Sequence, residues 1–556
     1  MLNLHNQIID IVGKGNFLLN EKEKTPYTTG WRTEAGECEF VVLPNSLLHM
    51  WYVLKLCIEN NKYILMQAAN TSLTGGSTPN GKYNKGLVII NTTKLKTIIP
   101  IKNGKQVIAF PGSTLYDLEK KIKPYNRAPH SEIGSSCIGA SVVGGVCNNS
   151  GGALIKRGPA YTELSIFASV NKNGKLELQN KLGVNLGDNP EEILKSLDKN
   201  NFNDKDVINS NSKASSTDYN SIIKNINAGS PARYNADTRR LYDASGCSGK
   251  LAVFAVRLDT FEKESEEKTF YYSTNNPEDL TLLRKKIITE VDELPIYAEY
   301  MHNDAYEVSK KYGKDAFYLV YYLGTSTMPF FYKTKSKLER FFKKSKIFSF
   351  RTLDILLNAF VAILPNQMPK LFDKLNKEFK HHLILKCDQK IYDEILKISK
   401  KYFNKKNKNN FLVCNTKESK KLTLNRFVFA GATARCAILS KEANPELLPL
   451  DVALKRNDEN WYNDISIDSK KDILKTLTVA HFFCLVFHRE YLVKKGKDNN
   501  KVKNKLLSWF DKIGAKYPAE HNVGHIYKAD DNLRKFYKKL DPNNVFNPGI
   551  GKTSKR

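Results

Sequence analysis

Acidic residues are scarce in this 556-residue chain: 58 Asp and Glu stand against 87 Lys and Arg, leaving a net charge of +29. A surplus of that size implies an anionic partner, whether nucleic acid, an acidic membrane surface or an anionic substrate. Cysteine is sparse, and its nine residues (38, 57, 137, 147, 247, 387, 414, 436 and 484) never form a C-x-x-C pair. Zinc ribbons, thioredoxin-like motifs and ferredoxin clusters therefore lack support, and an odd count of scattered thiols suits a reducing cytosol. Long apolar runs are missing as well. The stretch Ile355-Leu-Leu-Asn-Ala-Phe-Val-Ala-Ile-Leu364 stops at Pro365, short of the ~20 residues a membrane-spanning helix needs. The start has no basic segment followed by an apolar one, so no signal peptide is expected. Surface attachment to a membrane stays open. No G-x-G-x-x-G occurs, which removes a Rossmann NAD site. Gly76 to Lys82 has P-loop spacing, but Tyr83 stands where Ser or Thr must hold magnesium.

What is present is a foldable α+β chain. Apolar residues make up 41%, enough for real cores, and the length suits several domain-sized units. Leu47 to Glu59 has helical periodicity through Leu47, Leu48, Trp51, Leu54 and Ile58. Tyr63–Met66, Leu87–Ile90, Val107–Phe110 and Lys250–Leu258 read as buried strands. Residues 185–227 turn polar, as expected of a solvent-exposed insertion. Two loops of small residues lie beside buried strands. One is Gln67-Ala-Ala-Asn-Thr-Ser-Leu-Thr-Gly-Gly-Ser-Thr-Pro79, the other spans Ile133 to Gly152 with six glycines. Backbone N–H groups in the first suit a pyrophosphate, and the second can line a slot for a flat ligand.

Together the loops resemble the flavin-binding domain of vanillyl-alcohol-oxidase-type FAD enzymes, and Asp541-Pro-Asn-Asn-Val-Phe-Asn-Pro-Gly549 resembles their C-terminal signature. Met66–Thr71, Ile133–Ser141, Pro231-Ala-Arg-Tyr-Asn-Ala-Asp237, Lys250–Phe261 and Tyr517-Pro-Ala-Glu-His-Asn-Val-Gly-His525 resemble, more narrowly, the bacterial quinone-dependent D-lactate dehydrogenases. The resemblance implies FAD held without a covalent bond. Ala68, Ala69, Asn70, Thr71, Ser72, Gly76 and Ser77 would meet the pyrophosphate, with Gly134, Ser141 and Gly151 along the flavin and Val253 at the adenine end. It implies oxidation of D-lactate and transfer of electrons to membrane quinone at the cytoplasmic face of a bacterial inner membrane. The near alternative is another D-2-hydroxy acid with a soluble acceptor. A nucleic-acid-binding protein is the distant one, and nucleic acid is not the expected partner.

Such a reaction needs a base for the hydroxyl proton, an acceptor for the C2 hydrogen and a cation for the carboxylate. The resemblance gives Glu520-His521 as the catalytic pair, with His521 the base, and Arg435 as the carboxylate clamp. Relatives use two histidines seven residues apart, plus the Glu of the pair, to hold a divalent metal. His481, His488 and Glu520 repeat that set, but an apolar run separates the histidines. A continuous strand would hold them ~23 Å apart on opposite faces, so we expect pocket-lining histidines and leave a metal open. Between 330 and 350, Lys333, Lys335, Lys337, Arg340, Lys343, Lys344 and Lys346 interleave with phenylalanines, which suits an anionic phospholipid surface. The expected architecture is a two-part FAD-binding domain (1–260, with 512–556 returning to it), a discontinuous α+β cap (261–301 and 380–511) and a basic membrane-binding subdomain (302–379).

Overall fold

The computed structural model describes residues 2–556 apart from 31–34, 131–137, 265, 329, 332–333, 336, 339–341, 343–350, 404–408 and 464–469. The buried apolar runs of the N-terminal half assemble two small sheets. In the first, Phe40–Val42, Leu87–Asn91 and Tyr63–Gln67 lie parallel, with Phe17–Leu18 antiparallel at one edge. Strands this apolar on both faces need cover, and the helix Leu47–Glu59 supplies it with fully buried Leu47, Met50, Val53 and Leu54. The second sheet is antiparallel, in the order Ile98–Ile101, Gln106–Ala109, Ala252–Asp259, Ser165–Val170, Leu176–Asn180.

The polar stretch after 185 is largely solvent-exposed, but it is docked on the first half rather than set apart as an insertion. Helix Pro190–Asp198 buries Ile193, Leu194 and Leu197, and Asp198 accepts hydrogen bonds from the amides of Leu47 and Leu48 at 2.9 and 3.1 Å. The segment thus caps the helix that covers the first sheet. A few apolar residues spaced for one helix face are enough to dock a segment whose average composition is polar.

The C-terminal half is built on a seven-stranded antiparallel sheet. Its order is Asn410–Cys414, Glu267–Thr274, His381–Asp388, Tyr297–His302, Ile473–His481, Val486–Val493, Leu448–Ala453. Alternation sends Phe270, Tyr272, Leu383 and Leu385 to one face, under Pro277–Glu290 and Tyr392–Tyr402. Tyr271 and Ile384 go to the other, against Asn303–Tyr312 and Lys370–Glu378. The last residues return to the first half. Phe546 bridges Ile64, and the buried Lys250 ammonium donates to Asn544 Oδ1 at 2.6 Å and to the Phe546 carbonyl at 2.8 Å.

Candidate active site

The loop after Tyr63–Gln67 is ordered by its own side chains. Asn70 takes a left-handed φ of 53°, which Asn tolerates better than most residues. Its Oδ1 accepts from Ser77 Oγ and Thr78 Oγ1, each at 2.9 Å, and Ser72 Oγ accepts from the Gly76 amide at 3.1 Å. No partner is recorded among the described residues for the amides of Ala69, Asn70, Thr71 and Ser72. This is a pre-folded row of donors of the kind an anionic pyrophosphate fills. A Cβ on Gly76 would come 2.5 Å from Asn522, so glycine there lets the C-terminal segment close on the loop. Asn547 Nδ2 fastens it, donating to the carbonyls of Gly76 and Ser248 at 2.9 Å each.

Of the flavin-slot residues, Ser141 caps Val142–Cys147 through its Oγ and the Gly144 amide. Gly134 lies outside the described residues. Val253 sits at a register slip between Ala252–Asp259 and Ser165–Val170. Gly151 has the most telling contact: a Cβ there would lie 2.4 Å from Glu520 Oε1. The second small-residue loop and the Glu520-His521 pair therefore touch.

Around the Glu520 carboxylate three groups converge, His481, His488 and Arg233. The two histidines do not lie along one strand, as their spacing suggested. Ile473–His481 turns through Phe482–Cys484 and Leu485 into Val486–Val493, so the chain folds back and His488 pairs across from Val479. His481 Nε2 and His488 Nε2 end 3.3 Å apart, at 3.2 and 3.7 Å from Glu520 Oε2. These three residues can present one ligand atom each to a single ion. His481 is oriented by Glu299, whose Oε1 lies 2.6 Å from its Nδ1, while Asp451 Oδ1 comes within 3.4 Å of His488 Nδ1. That is the outer arrangement metal-binding histidines use to aim Nε2.

Electrostatics hold the acids ionised. Burial would raise the Glu520 carboxyl, but the fully buried Arg233 guanidinium on its Oε1, with His481, keeps it well below the usual range. Arg233 also donates to the Gly152 carbonyl at 2.7 Å. Burial would lower His481, yet Glu299 and Glu520 push it up to about 10. For His488 burial wins, pushing it down to about 4. Asp451 Oδ2 accepts from His521 Nδ1 at 2.7 Å and from the Glu520 and His521 amides at 2.7 and 3.2 Å. Since an ionised Asp only accepts, His521 Nδ1 carries the proton and Nε2 is the basic nitrogen.

Arg435 is not in this group. It is buried in helix Phe429–Leu439 and grips Asp315 through Nη1 at 3.0 Å and Nη2 at 2.6 Å. Its Nε lies 3.4 Å from Asp354, and the Tyr312 carbonyl takes a further bond at 2.8 Å. Those partners occupy both edges of its fork, so it has no free edge for a substrate carboxylate. Four residues escaped the sequence reading as members of the site: Glu299, Asp451, Arg233 and Arg426, whose Nη2 lies 3.0 Å from Glu299 Oε2. Glu299 faces His481 only through long-range strand pairing, so no local pattern marks it.

Comparison with known proteins identifies the family and the fold. A family model described as "FAD binding domain" matches residues 38–177, and one described as "D-lactate dehydrogenase, membrane binding" matches 269–556. A quinone-dependent D-lactate dehydrogenase of Escherichia coli (strain K12) is 46% identical over 99% of this chain and 96% of that protein. Proteins of the same description from Haemophilus influenzae and Corynebacterium glutamicum are 44% and 37% identical, over 100% and 98% of this chain and 98% and 95% of theirs. Among solved structures, p-cresol methylhydroxylase with substrate bound superposes with a TM-score of 0.60 at 13% identity, covering 100% of this chain and 97% of that one. The 4-ethylphenol oxidase of Gulosibacter chungangensis gives 0.57 at 11%, with the same coverage. These two show a shared fold of the vanillyl-alcohol-oxidase type.

Proposed function

The chain belongs to the quinone-dependent D-lactate dehydrogenase family, and from that premise we propose how its own residues carry the reaction. It is an FAD oxidoreductase that oxidises D-lactate to pyruvate and passes the electrons to quinone. Bound FAD supplies the two-electron acceptor for the C2 hydrogen. The observation that carries the site assignment is the contact of Glu520 with the Gly151 loop, which seats the His481–His488–Glu520–His521 cluster against the flavin slot.

His521 Nε2 takes the hydroxyl proton while Asp451 holds the ring by Nδ1. Arg426, reaching the cluster from helix Thr416–Phe427, replaces Arg435 as our candidate for the substrate carboxylate. With base and cation on fixed sides, only one face of C2 meets the acceptor, so one enantiomer is preferred, which the family's substrate makes the D form. His481 Nε2, His488 Nε2 and Glu520 Oε2 fit a divalent cation of the zinc type, which would polarise the substrate's oxygens. FAD is held without a covalent bond. The Cys147 thiol is engaged by Cys247, which with burial raises its pKa well above the ordinary range, making it a poor nucleophile. Cys137 lies outside the described residues. Residues 1–260 with 512–556 hold the flavin, 261–301 and 380–511 carry the substrate, and 302–379 meets the cytoplasmic face of the membrane. Among the described residues no helix is long and apolar enough to cross it.

The test is His521→Ala, read in flavin reduction by D-lactate under stopped flow without quinone. FAD content should stay native and the rate should fall ~10²–10⁴-fold. A native rate would put the base elsewhere.

A further inference from the structure

Helix Thr352–Ala362 is built inside out. Its exposed positions, continuing to 363, are Ile355, Leu356, Ala359, Phe360, Ala362 and Ile363, and none is polar. At 3.6 residues per turn they form one continuous side. The buried positions are Leu353, Asp354 and Val361, so the one charge on the helix points into the protein. A helix on a water-facing surface does the reverse. The exposure is large: Ile363 is 79% accessible and Phe360 58%. Nine of the seventeen exposed large apolar side chains among the described residues fall between 322 and 371, which makes this a concentrated patch rather than ordinary scatter.

The inversion has a cause. Asp354 Oδ1 lies 3.1 Å from Lys335 Nζ and 3.4 Å from Arg435 Nε, and Arg435 in turn grips Asp315 of helix Lys314–Leu323. An acid held inward by two cations fixes the rotation of its helix. The apolar side must then face out. The flank is basic: Lys310, Lys311 and Lys314, with Glu307, line a cavity of about 370 Å³ against Asn358 and Val361.

We propose that this helix is an in-plane membrane anchor. Ile355, Leu356, Phe360 and Ile363 enter the acyl layer of an anionic bilayer, and Arg435 holds the helix to the cap from within. An apolar face bordered by lysines matches the acyl–headgroup boundary in both polarity and charge. The inference rests on the membrane association of the family and names the surface and the mode: insertion added to charge. Charge alone is screened within ~3 Å at about 1 M salt, whereas insertion persists.

The experiment uses the full FAD-loaded chain and vesicles of phosphatidylglycerol and phosphatidylcholine. At about 1 M salt the native protein should still float with vesicles, and the double variant Phe360→Asp, Ile363→Asp should bind about tenfold or more weakly. The variant should keep its flavin and its D-lactate turnover with a soluble dye, because both side chains are exposed. A Phe360→Trp variant should be quenched more strongly than its parent by vesicles with brominated acyl chains. Equal binding of the Asp variant, or no added quenching, overturns the proposal. So does a native dimer in sedimentation that the Asp variant dissolves, which would make the face a contact between copies. Absent dye turnover in the native protein would count against the enzyme reading and leave the binding result standing.

Discussion

Arg435 shows how burial decides what a charged side chain can do. A guanidinium shut away from water must be fully paired, and Asp315, Asp354 and the Tyr312 carbonyl pair it. Replacing it with Met strands Asp315 and leaves Asp354 only Lys335, a loss of up to about 3–5 kcal/mol. We therefore expect Arg435→Met to melt well below the native protein and to bind vesicles poorly at high salt. Its KM for D-lactate, measured with a soluble dye at a temperature where it is folded, should stay near native. Arg426→Met should instead raise KM, since it takes a cation from the pocket side. Asp451 belongs to the same scale. It accepts one side-chain and two backbone bonds around His521, so Asp451→Asn replaces an obligate acceptor with a group that can also donate. Flavin reduction should slow by about 10²-fold or more, with FAD content and fold intact by absorbance and circular dichroism.

At the scale of elements, the hairpin Ile473–Val493 brings the cluster together, and it is also where sequence reasoning failed. Its turn holds none of the Gly, Asn or Pro that usually mark one. Leu485 takes φ 51° there, with its side chain only 1% exposed. Rings close around the turn instead, Phe482 meeting Trp461 at 4.9 Å and Tyr300 at 5.9 Å. Tertiary packing thus overrides a local preference that the sequence displays openly. By contrast Leu47–Glu59 was legible to its end residues, because its apolar spacing is local. The small-residue loops were legible for the same reason, whereas Glu299 and Asp451 reach the histidines through strand pairing that spacing does not encode. If the hairpin presents a metal site, purified native protein should hold about one divalent ion per chain. His488→Ala should lose it while staying yellow, as metal analysis and flavin absorbance will tell. Chelation of the native protein should lower turnover without releasing flavin. A native protein free of metal would reduce the three residues to pocket lining.

On the whole molecule, charge and buried histidines set the response to pH. The +29 surplus opposes compaction and grows as carboxylates protonate, so acid is the vulnerable side. His382 adds a definable part. It lies 1% exposed between Tyr271 Oη, which donates to its Nδ1 at 3.0 Å, and the Phe379 carbonyl, which accepts from Nε2 at 3.0 Å. Burial pushes its pKa down to about 3, against about 6.5 in an unfolded chain. The folded protein keeps this ring neutral while the unfolded chain binds a proton, so the contribution is whole above pH ~6.5 and is lost as pH falls toward 3. The slope is at most ~1.4 kcal/mol per pH unit for one such group. His382→Gln should be less stable at pH ~7.5, having lost the ring's packing. Between pH ~6.5 and ~4.5 its stability should fall less steeply than that of the native protein, because that proton no longer distinguishes the two states. Urea unfolding of both proteins across that range measures the difference in slope directly. Parallel lines would mean that the ring protonates in place and that burial at this position is looser than the packing around Tyr271 indicates.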